Sequence, residues 1–371
     1  MDFRLNDDRR MLAETLDRFL RDNYPLEKRH EVVASGEGHS AGMWAKFAEL
    51  GVIGALFGEE AGGFGGAGDD IMVVFEALGR ALVVEPFLPT LLAGSLLAEL
   101  GSDEQKAVLE EIISGTKILA FAHGEPESRY ELERVGAVAR KEDSGWSLTG
   151  NKSVVLAGAQ ADLLVVSARS FGEENDPDGV SLFIVDPKAR GVSVRGYATV
   201  DGYPAAEISF DNTAAQLLGE DGKTFGSIEK AVAKGVVALC AECLGAMEVA
   251  KDQTVEYMHT RKQFGVIIGK FQALQHRMAD ALIEIEQMRS AVVNAAGNLE
   301  EDRKRREWFV SAAKNLAGRA GRQVAEEAIQ IHGGMGMTWE YPVGHYAKRI
   351  TMIDHLFGDT DHHLERFIEL S

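Results

Sequence analysis

Thiols and cations are what this chain has little of. It holds two cysteines, Cys240 and Cys243, in 371 residues. Their C-x-x-C spacing is that of a redox or zinc half-site, but no second cysteine pair exists to complete a metal shell. Both lie inside the apolar helical run ALCAECLGAM and read as buried thiols. Lys and Arg number 39 against 58 Asp and Glu, a net charge of −19. That balance argues against nucleic acid and anionic membrane as partners. Any site for an anionic ligand must therefore be a local basic pocket. No run of about 18 apolar residues and no N-terminal signal pattern is visible, so a cytoplasmic location is expected.

With 45% hydrophobic residues the chain can bury a large core, and its length suits two or three domains. Residues 1 to about 115 read as all helix. Phe3-Arg4-Leu5 precedes Asn6, an N-cap for a run with Leu12, Leu16, Phe19 and Leu20 at helical spacing. Trp44, Phe47 and Leu50 repeat the pattern. Gly63, Gly65 and Gly68 then satisfy G-x-G-x-x-G after a short apolar run (52–57), and Glu85 sits near the place of a ribose-binding acid. A nicotinamide site would use such a motif. No strand–helix alternation of a doubly wound sheet follows, so the stretch reads as a loop. From 118 to about 210 the period changes to two, in short β-branched segments punctuated by Gly, Asp and Asn. This is a middle β domain, expected as a small barrel, with FGEENDPDG as a surface hairpin loop. From Ala214 onward the chain reads as helix again. The basic cluster DRKRRE (302–307) reads as solvated helix-end charge. The expected class is α+β: an N-terminal all-α domain (1–116), a middle β domain (117–213) and a C-terminal helical bundle (214–371).

Residues 261–280, RKQFGVIIGKFQALQHRMAD, join two long helical patterns, about 230–260 and 271–298. Between the rods sit a cation, an amide, an aromatic and a glycine: Arg261, Gln263, Phe264 and Gly265. A guanidinium fork suits a phosphate, a planar ring suits stacking, and glycine permits close backbone approach. The plain alternative is an interhelical turn with a core Phe. A second stretch, QIHGGMG, ends another helical run and places Gln330, Gly333, Gly334 and Gly336 together. Helix precedes glycine here, the reverse of a phosphate-binding loop. Adjacent glycines also serve as plain C-caps.

The order R-x-Q-F-G, F-Q-x-x-x-H-x-x-A-D, Q-x-x-G-G-x-G-x-x-x-E-Y-P is far more specific than either stretch alone. It is carried by Arg261, Gln263, Phe264, Gly265; Phe271, Gln272, His276, Ala279, Asp280; and Gln330, Gly333, Gly334, Gly336, Glu340, Tyr341, Pro342. It resembles the acyl-CoA dehydrogenase family over the whole chain. The opening and the closing FGDTDHHL look most like the small subunits of pimeloyl-CoA-type dehydrogenases. The resemblance implies a fold of N-terminal helices, middle β-barrel and C-terminal four-helix bundle. It implies FAD as cofactor, an acyl-CoA substrate oxidised between Cα and Cβ, and an electron-transfer flavoprotein as oxidant of the reduced flavin. In the family one subunit holds the flavin ring against its β domain. Its neighbour contributes R-x-Q-F-G and Q-x-x-G-G to the ADP half.

The two halves score differently. The neighbour-directed set is present: Arg261, Gln263, Phe264, Gln272, Gln330, Gly333 and Gly334. The ring-holding loop T-E-P-x-A-G-S-D is reduced to Glu125 and Pro126 in GEPESRY. The Trp-Ile-Thr strand is Val154, Val155, Leu156 here, which leaves a ring hydrogen-bond partner missing. The family glutamate of Tyr-Glu-Gly-Thr falls on Phe357, or on Gly358 after a one-residue shift. The alternative glutamate falls on Gly235. Asp359 is the fallback base, with Asp354 beside it. Where the family often has Arg-Asp, Lys348-Arg349 stands. His362 and His363 have no metal-ligand spacing and read as surface or partner contacts. Three readings remain open: a base-lacking subunit completing the FAD site of a larger homologue in an α2β2 assembly, a self-sufficient homotetramer using Asp359, and a non-catalytic scaffold.

Overall fold

A computed structural model describes residues 6–143 and 145–371; Phe3, Arg4 and Leu5 lie outside the described residues. The chain falls into two compact units. One comprises the chain up to His30, Gly68–Val83 and Val236–Ser371, and the other Glu31–Ala67 and Val84–Gly235.

The helices before the sheet are α1 (Asp7–Asn23), α2 (Leu26–Ser35), α3 (Ala41–Glu49), α4 (Gly68–Ala81), α5 (Phe87–Leu100), α6 (Asp103–Lys106) and α7 (Val108–Ile113). Side-chain caps start several of them. The Asn6 carboxamide oxygen accepts from the Arg9 N–H at 2.8 Å, and Ser102 and Gln105 form a reciprocal capping box at α6. Trp44 and Phe47 of α3 meet Phe87 edge-on at 4.9 and 5.0 Å. The glycine loop after α3 is a loop, as expected, and its glycines have a packing reason. A Cβ on Gly63 would lie 2.2 Å from the Phe57 carbonyl oxygen, and one on Gly65 2.2 Å from that of Ala55.

Seven strands follow: β1 (Leu119–Ala122), β2 (Val138–Glu142), β3 (Gly145–Leu156), β4 (Leu163–Arg169), β5 (Val180–Val185), β6 (Val192–Ala198) and β7 (Pro204–Leu218). Pairing runs β4–β2–β3–β7–β5 and returns from β5 to β4, so the sheet closes on itself. The expected barrel is therefore present, with Leu148, Val155, Val166, Phe183, Ile208 and Phe210 in its core. One expectation fails here. The run from Ala214 reads as helix but continues β7 to Leu218, pairing Leu182 with Leu218 and Phe183 with Leu217. Helix resumes only at Phe225. Pairing on both flanks overrides the local propensity of Ala and Leu.

The remaining helices are α8 (Phe225–Thr260), α9 (Gln272–Gly297), α10 (Arg303–His332), α11 (Val343–His355) and α12 (Thr360–Glu369), with the two-stranded hairpin β8 (Lys262–Gln263) and β9 (Val266–Ile267) between α8 and α9. Cys240 and Cys243 are buried and free, and burial raises both thiol pKa values, that of Cys240 to about 12. Glu242 of α8 and Arg349 of α11 form a buried bidentate ion pair at 2.6 and 2.7 Å. Two further expectations are corrected. Arg306 and Glu307 of the basic cluster are buried and paired at 2.8 Å, with Arg366 closing on Glu307 at 2.9 Å. His363 is buried, not superficial.

Helices α4 and α8 cross through glycine. A Cβ on Gly79 would lie 2.1 Å from the Glu242 carbonyl oxygen, and one on Gly245 2.1 Å from that of Glu76. Helix propensity alone favours Ala over Gly by about 1 kcal/mol. At this crossing the sign reverses. Gly245→Ala is expected to destabilise by about 2 kcal/mol or more, as overpacking does, read as a lower urea midpoint; a raised midpoint contradicts the crossing.

Candidate functional site

The turn between α8 and α9 is a two-residue hairpin with Lys262 opposite Ile267 and Gln263 opposite Val266. Its turn residues, Phe264 and Gly265, have φ of 52° and 79°, the pattern of a type I′ turn. Glycine tolerates that region. Phenylalanine does so at a cost of about 1–3 kcal/mol. The Phe264 ring is 90% exposed, which overturns its reading as a core residue. Phe271 meets it edge-on, at 6.2 Å between centroids.

The second stretch ends α10. Gly333 takes φ 60°, ψ −139° as the helix stops, and a 3-10 turn, Gly333–Met337, follows. A Cβ on Gly333 or Gly334 would meet no atom within 4 Å. No backbone crowding requires glycine at either position.

A small apolar cluster brings the two stretches to one end of the bundle. Met258 at the end of α8, Ile268 just after the hairpin and Ile331 at the end of α10 pack together. Tyr257 stacks on His332 at 4.4 Å, and the Tyr257 hydroxyl reaches the His332 carbonyl at 3.5 Å. Around this anchor Arg261, Gln263, Phe264, Gln272, Gln330, Gly333 and Gly334 are all exposed. Among the described residues, none of the Arg261, Gln263, Gln272 and Gln330 side chains is held by a hydrogen bond or ion pair within the chain.

Strand β3 and its neighbours present the opposite picture, because their polar groups are taken. The retained Glu125 turns inward. Its carboxylate pairs with the buried Lys152 ammonium at 2.6 Å and accepts from the Gly136 and Ala137 N–H groups at 2.8 and 3.0 Å. Lys152 also donates to the His123 carbonyl and the Ser167 hydroxyl, both at 3.0 Å. Burial lowers the Lys152 pKa against the pull of Glu125, and burial beside that ammonium lowers His123 to about 3, keeping it neutral. The β3 ladder slips between Lys152 and Val155. Val154 there has φ 52° and is half exposed. Its N–H faces the Glu207 carboxylate at 3.5 Å, and the Tyr197 hydroxyl donates to the same oxygen at 2.9 Å. Burial and then this carboxylate raise the Tyr197 pKa to about 12.

None of the positions where a base is expected, Gly235, Phe357 and Gly358, carries a carboxylate. A Cβ on Gly235 would lie 2.7 Å from Leu92 Cδ2. Phe357 and Gly358 take φ of 55° and 109°. A Cβ on Gly358 would lie 2.5 Å from His362 Cδ2 and 2.6 Å from His363 Nε2. The loop is held from inside the bundle. The buried Lys314 ammonium donates to the Asp354 and Gly358 carbonyls at 2.8 and 2.5 Å. His363 Nε2–H donates to the Phe357 carbonyl at 2.9 Å. Burial and Lys314 lower His363 to about 3, so the imidazole stays neutral. Asp354 accepts from the Thr360 hydroxyl at 2.9 Å. Asp359 is the N-cap of α12 and accepts the His362 N–H at 2.9 Å. Sequence reasoning missed Lys314, Glu207 and Tyr197. Each sits within an ordinary helical or alternating pattern that does not reveal its partner.

Family descriptions match the chain in consecutive segments: acyl-CoA dehydrogenase N-terminal domain over 6–116, middle domain over 120–213 and C-terminal domain over 213–369. Over 318 residues the chain is 30% identical to a 3-(aryl)acrylate reductase of Clostridium sporogenes, covering 83% of this chain and 84% of that one. Over 322 residues it is 30% identical to the short-chain specific acyl-CoA dehydrogenase of Megasphaera elsdenii, with coverage of 82% and 83%. Its fold matches a chain of the ChsE4–ChsE5 complex from Mycobacterium tuberculosis with a TM-score of 0.89 and 27% identity, over 100% and 98% of the two chains. The chain belongs to the acyl-CoA dehydrogenase family. Members of that family are FAD-binding oxidoreductases.

If Asp359 is a cap and not a base, Asp359→Asn, which also caps, is expected to shift stability by only a few tenths of a kcal/mol, whereas Asp359→Ala costs about 1 kcal/mol. Denaturant midpoints of the two variants read this directly, and equal losses contradict the cap.

Proposed function

We propose that this chain is the base-lacking small subunit of a heteromeric acyl-CoA dehydrogenase, completing the FAD site of a larger homologous subunit. What carries the reading is the contrast between two sets of polar groups. At the hairpin and the end of α10, Arg261, Gln263, Gln272 and Gln330 are exposed with uncommitted side chains. Phe264 is held out in a strained turn, and Gly333 and Gly334 stand open. That set fits a dinucleotide: guanidinium and amide donors for phosphates, a ring for stacking, glycine for close backbone approach. On the β3 strand the Val154 N–H already faces the Glu207 carboxylate. A fixed negative charge and aliphatic side chains do not fit an isoalloxazine ring, so no hydride step is assigned to this chain. Gly235, Phe357 and Gly358 offer no carboxylate, and a Cβ on Gly358 would run into the His362 and His363 rings.

The likeness to a chain of a two-component complex supports the heteromeric form. In this reading the larger subunit supplies the ring pocket and the base, the substrate is an acyl-CoA thioester, and an electron-transfer flavoprotein takes the electrons. The two kinds of subunit assemble as α2β2.

The test is FAD retention by the complex captured from the native host through a tag on this chain. Removing a charge-assisted contact costs about 1.5–3 kcal/mol, roughly tenfold or more in affinity. Arg261→Ala is therefore expected to lower FAD affinity by at least about tenfold, while Tyr197→Phe leaves it unchanged. Full FAD retention in Arg261→Ala contradicts the reading.

A further inference from the structure

Two histidines from distant parts of the sequence meet beside the end of the nucleotide-facing segment. His30 lies on α2 and His345 on α11, and their Nε2 atoms are 3.2 Å apart. His345 Nε2 is also 2.7 Å from the Trp339 carbonyl oxygen. The Trp339 indole stacks on His30 at 5.4 Å and meets His345 edge-on at 4.7 Å. The Lys348 ammonium lies over the same indole at 4.8 Å. Trp339 is 55% exposed, and the two imidazoles and the Lys348 ammonium lie against it. It follows the 3-10 turn Gly333–Met337. Whatever fixes Trp339 therefore fixes the far end of the glycine segment.

The hydrogen-bond arithmetic leaves one arrangement. A carbonyl oxygen only accepts, so His345 Nε2 carries the proton and donates to Trp339. The same N–H faces His30 Nε2, which must offer its lone pair. Protonating His30 would set N–H against N–H across the 3.2 Å contact. The surrounding charges point the same way on balance. Arg29 opposes a cation on His30 and Glu27 favours one. Arg29, His30 and Lys348 all oppose one on His345, while the Trp339 carbonyl favours it.

We infer that His30 and His345 are positioning residues for the segment Gly333–Trp339, pinning its Trp339 end while His30 is neutral and releasing it when His30 is protonated. This rests on the reading of Gly333 and Gly334 as dinucleotide contacts. The consequence is a grip on an anionic dinucleotide that weakens in acid. Burial, the leading cause, lowers both imidazole pKa values in the folded protein. A depressed histidine value means the unfolded or released state binds more protons. The pinned state is thus favoured above the ordinary imidazole value and is lost as pH falls below it.

The test uses the full chain and then its complex. Hydrogen exchange of peptides covering 333–341 is measured at about pH 7.5 and about pH 5.5, on either side of the ordinary imidazole value, and corrected for intrinsic rates. Wild-type protection is expected to fall by up to about tenfold per pH unit, the limit for release linked to one proton. His30→Gln keeps an acceptor that cannot be protonated and is expected to stay protected at both values. His345→Ala is expected to be unprotected at both. A His30→Gln chain that loses protection in parallel with wild type overturns the inference. FAD titration of the complex over the same range separates the two layers. Affinity that falls in wild type and stays flat in His30→Gln supports both. Exchange that behaves as expected with FAD affinity unmoved keeps the clamp and overturns the dinucleotide reading.

Discussion

The Lys314 ammonium is the fixed point of the C-terminal helices. It is buried on α10 and donates to the carbonyls of Asp354 and Gly358, one at the end of α11 and the other just before α12. A buried ammonium is costly unless its protons are met, and here two backbone carbonyls meet it. His363 adds a second tie at the Phe357 carbonyl. With both in place, the loop between α11 and α12 has little freedom. Its two middle residues sit at positive φ, and the space beyond Gly358 belongs to imidazole rings. The loop is thus tied to the bundle at the Asp354, Phe357 and Gly358 carbonyls.

At the other end of the same helices, polar groups are left over. Arg261, Gln263, Gln272 and Gln330 have no side-chain partner within the chain among the described residues. Phe264 stands almost wholly exposed at a strained position. Strain of about 1–3 kcal/mol in an exposed aromatic persists only where surrounding structure enforces it, and the hairpin ladder on the Met258–Ile268–Ile331 cluster does so. The barrel strand behaves conversely. Val154 has an aliphatic side chain, and its N–H faces the Glu207 carboxylate, which also accepts from Tyr197. That contrast between committed and uncommitted polar groups is what the proposed role as a completing subunit rests on.

Much of the fold was legible in the residues. Helical periodicity marked α1, α3 and the long rods, and alternation marked the strands, because each element buries one face. The exceptions share a cause. Ala214–Leu218 have helical propensity and are strand because β3 and β5 flank them. For Phe264 the plain alternative of a core residue stayed open because phenylalanine usually is buried, and only the turn geometry puts it outside. Arg306, Glu307 and His363 look solvated from the sequence and are buried because they pair inside the fold, Glu307 with both Arg306 and the distant Arg366, His363 with the Phe357 carbonyl. The same blindness hid Lys314 and Glu207. Arg261, Gln263, Gln272 and Gln330 were legible as parts of a motif, but that the chain leaves their side chains unpaired among the described residues was not.

The most direct measurement is flavin absorbance per chain for the protein purified alone and for its complex with the larger subunit. The account predicts little or no tightly bound FAD on the isolated chain, and FAD with acyl-CoA oxidation in the complex. One tightly held FAD per isolated chain, with turnover of an acyl-CoA, contradicts it.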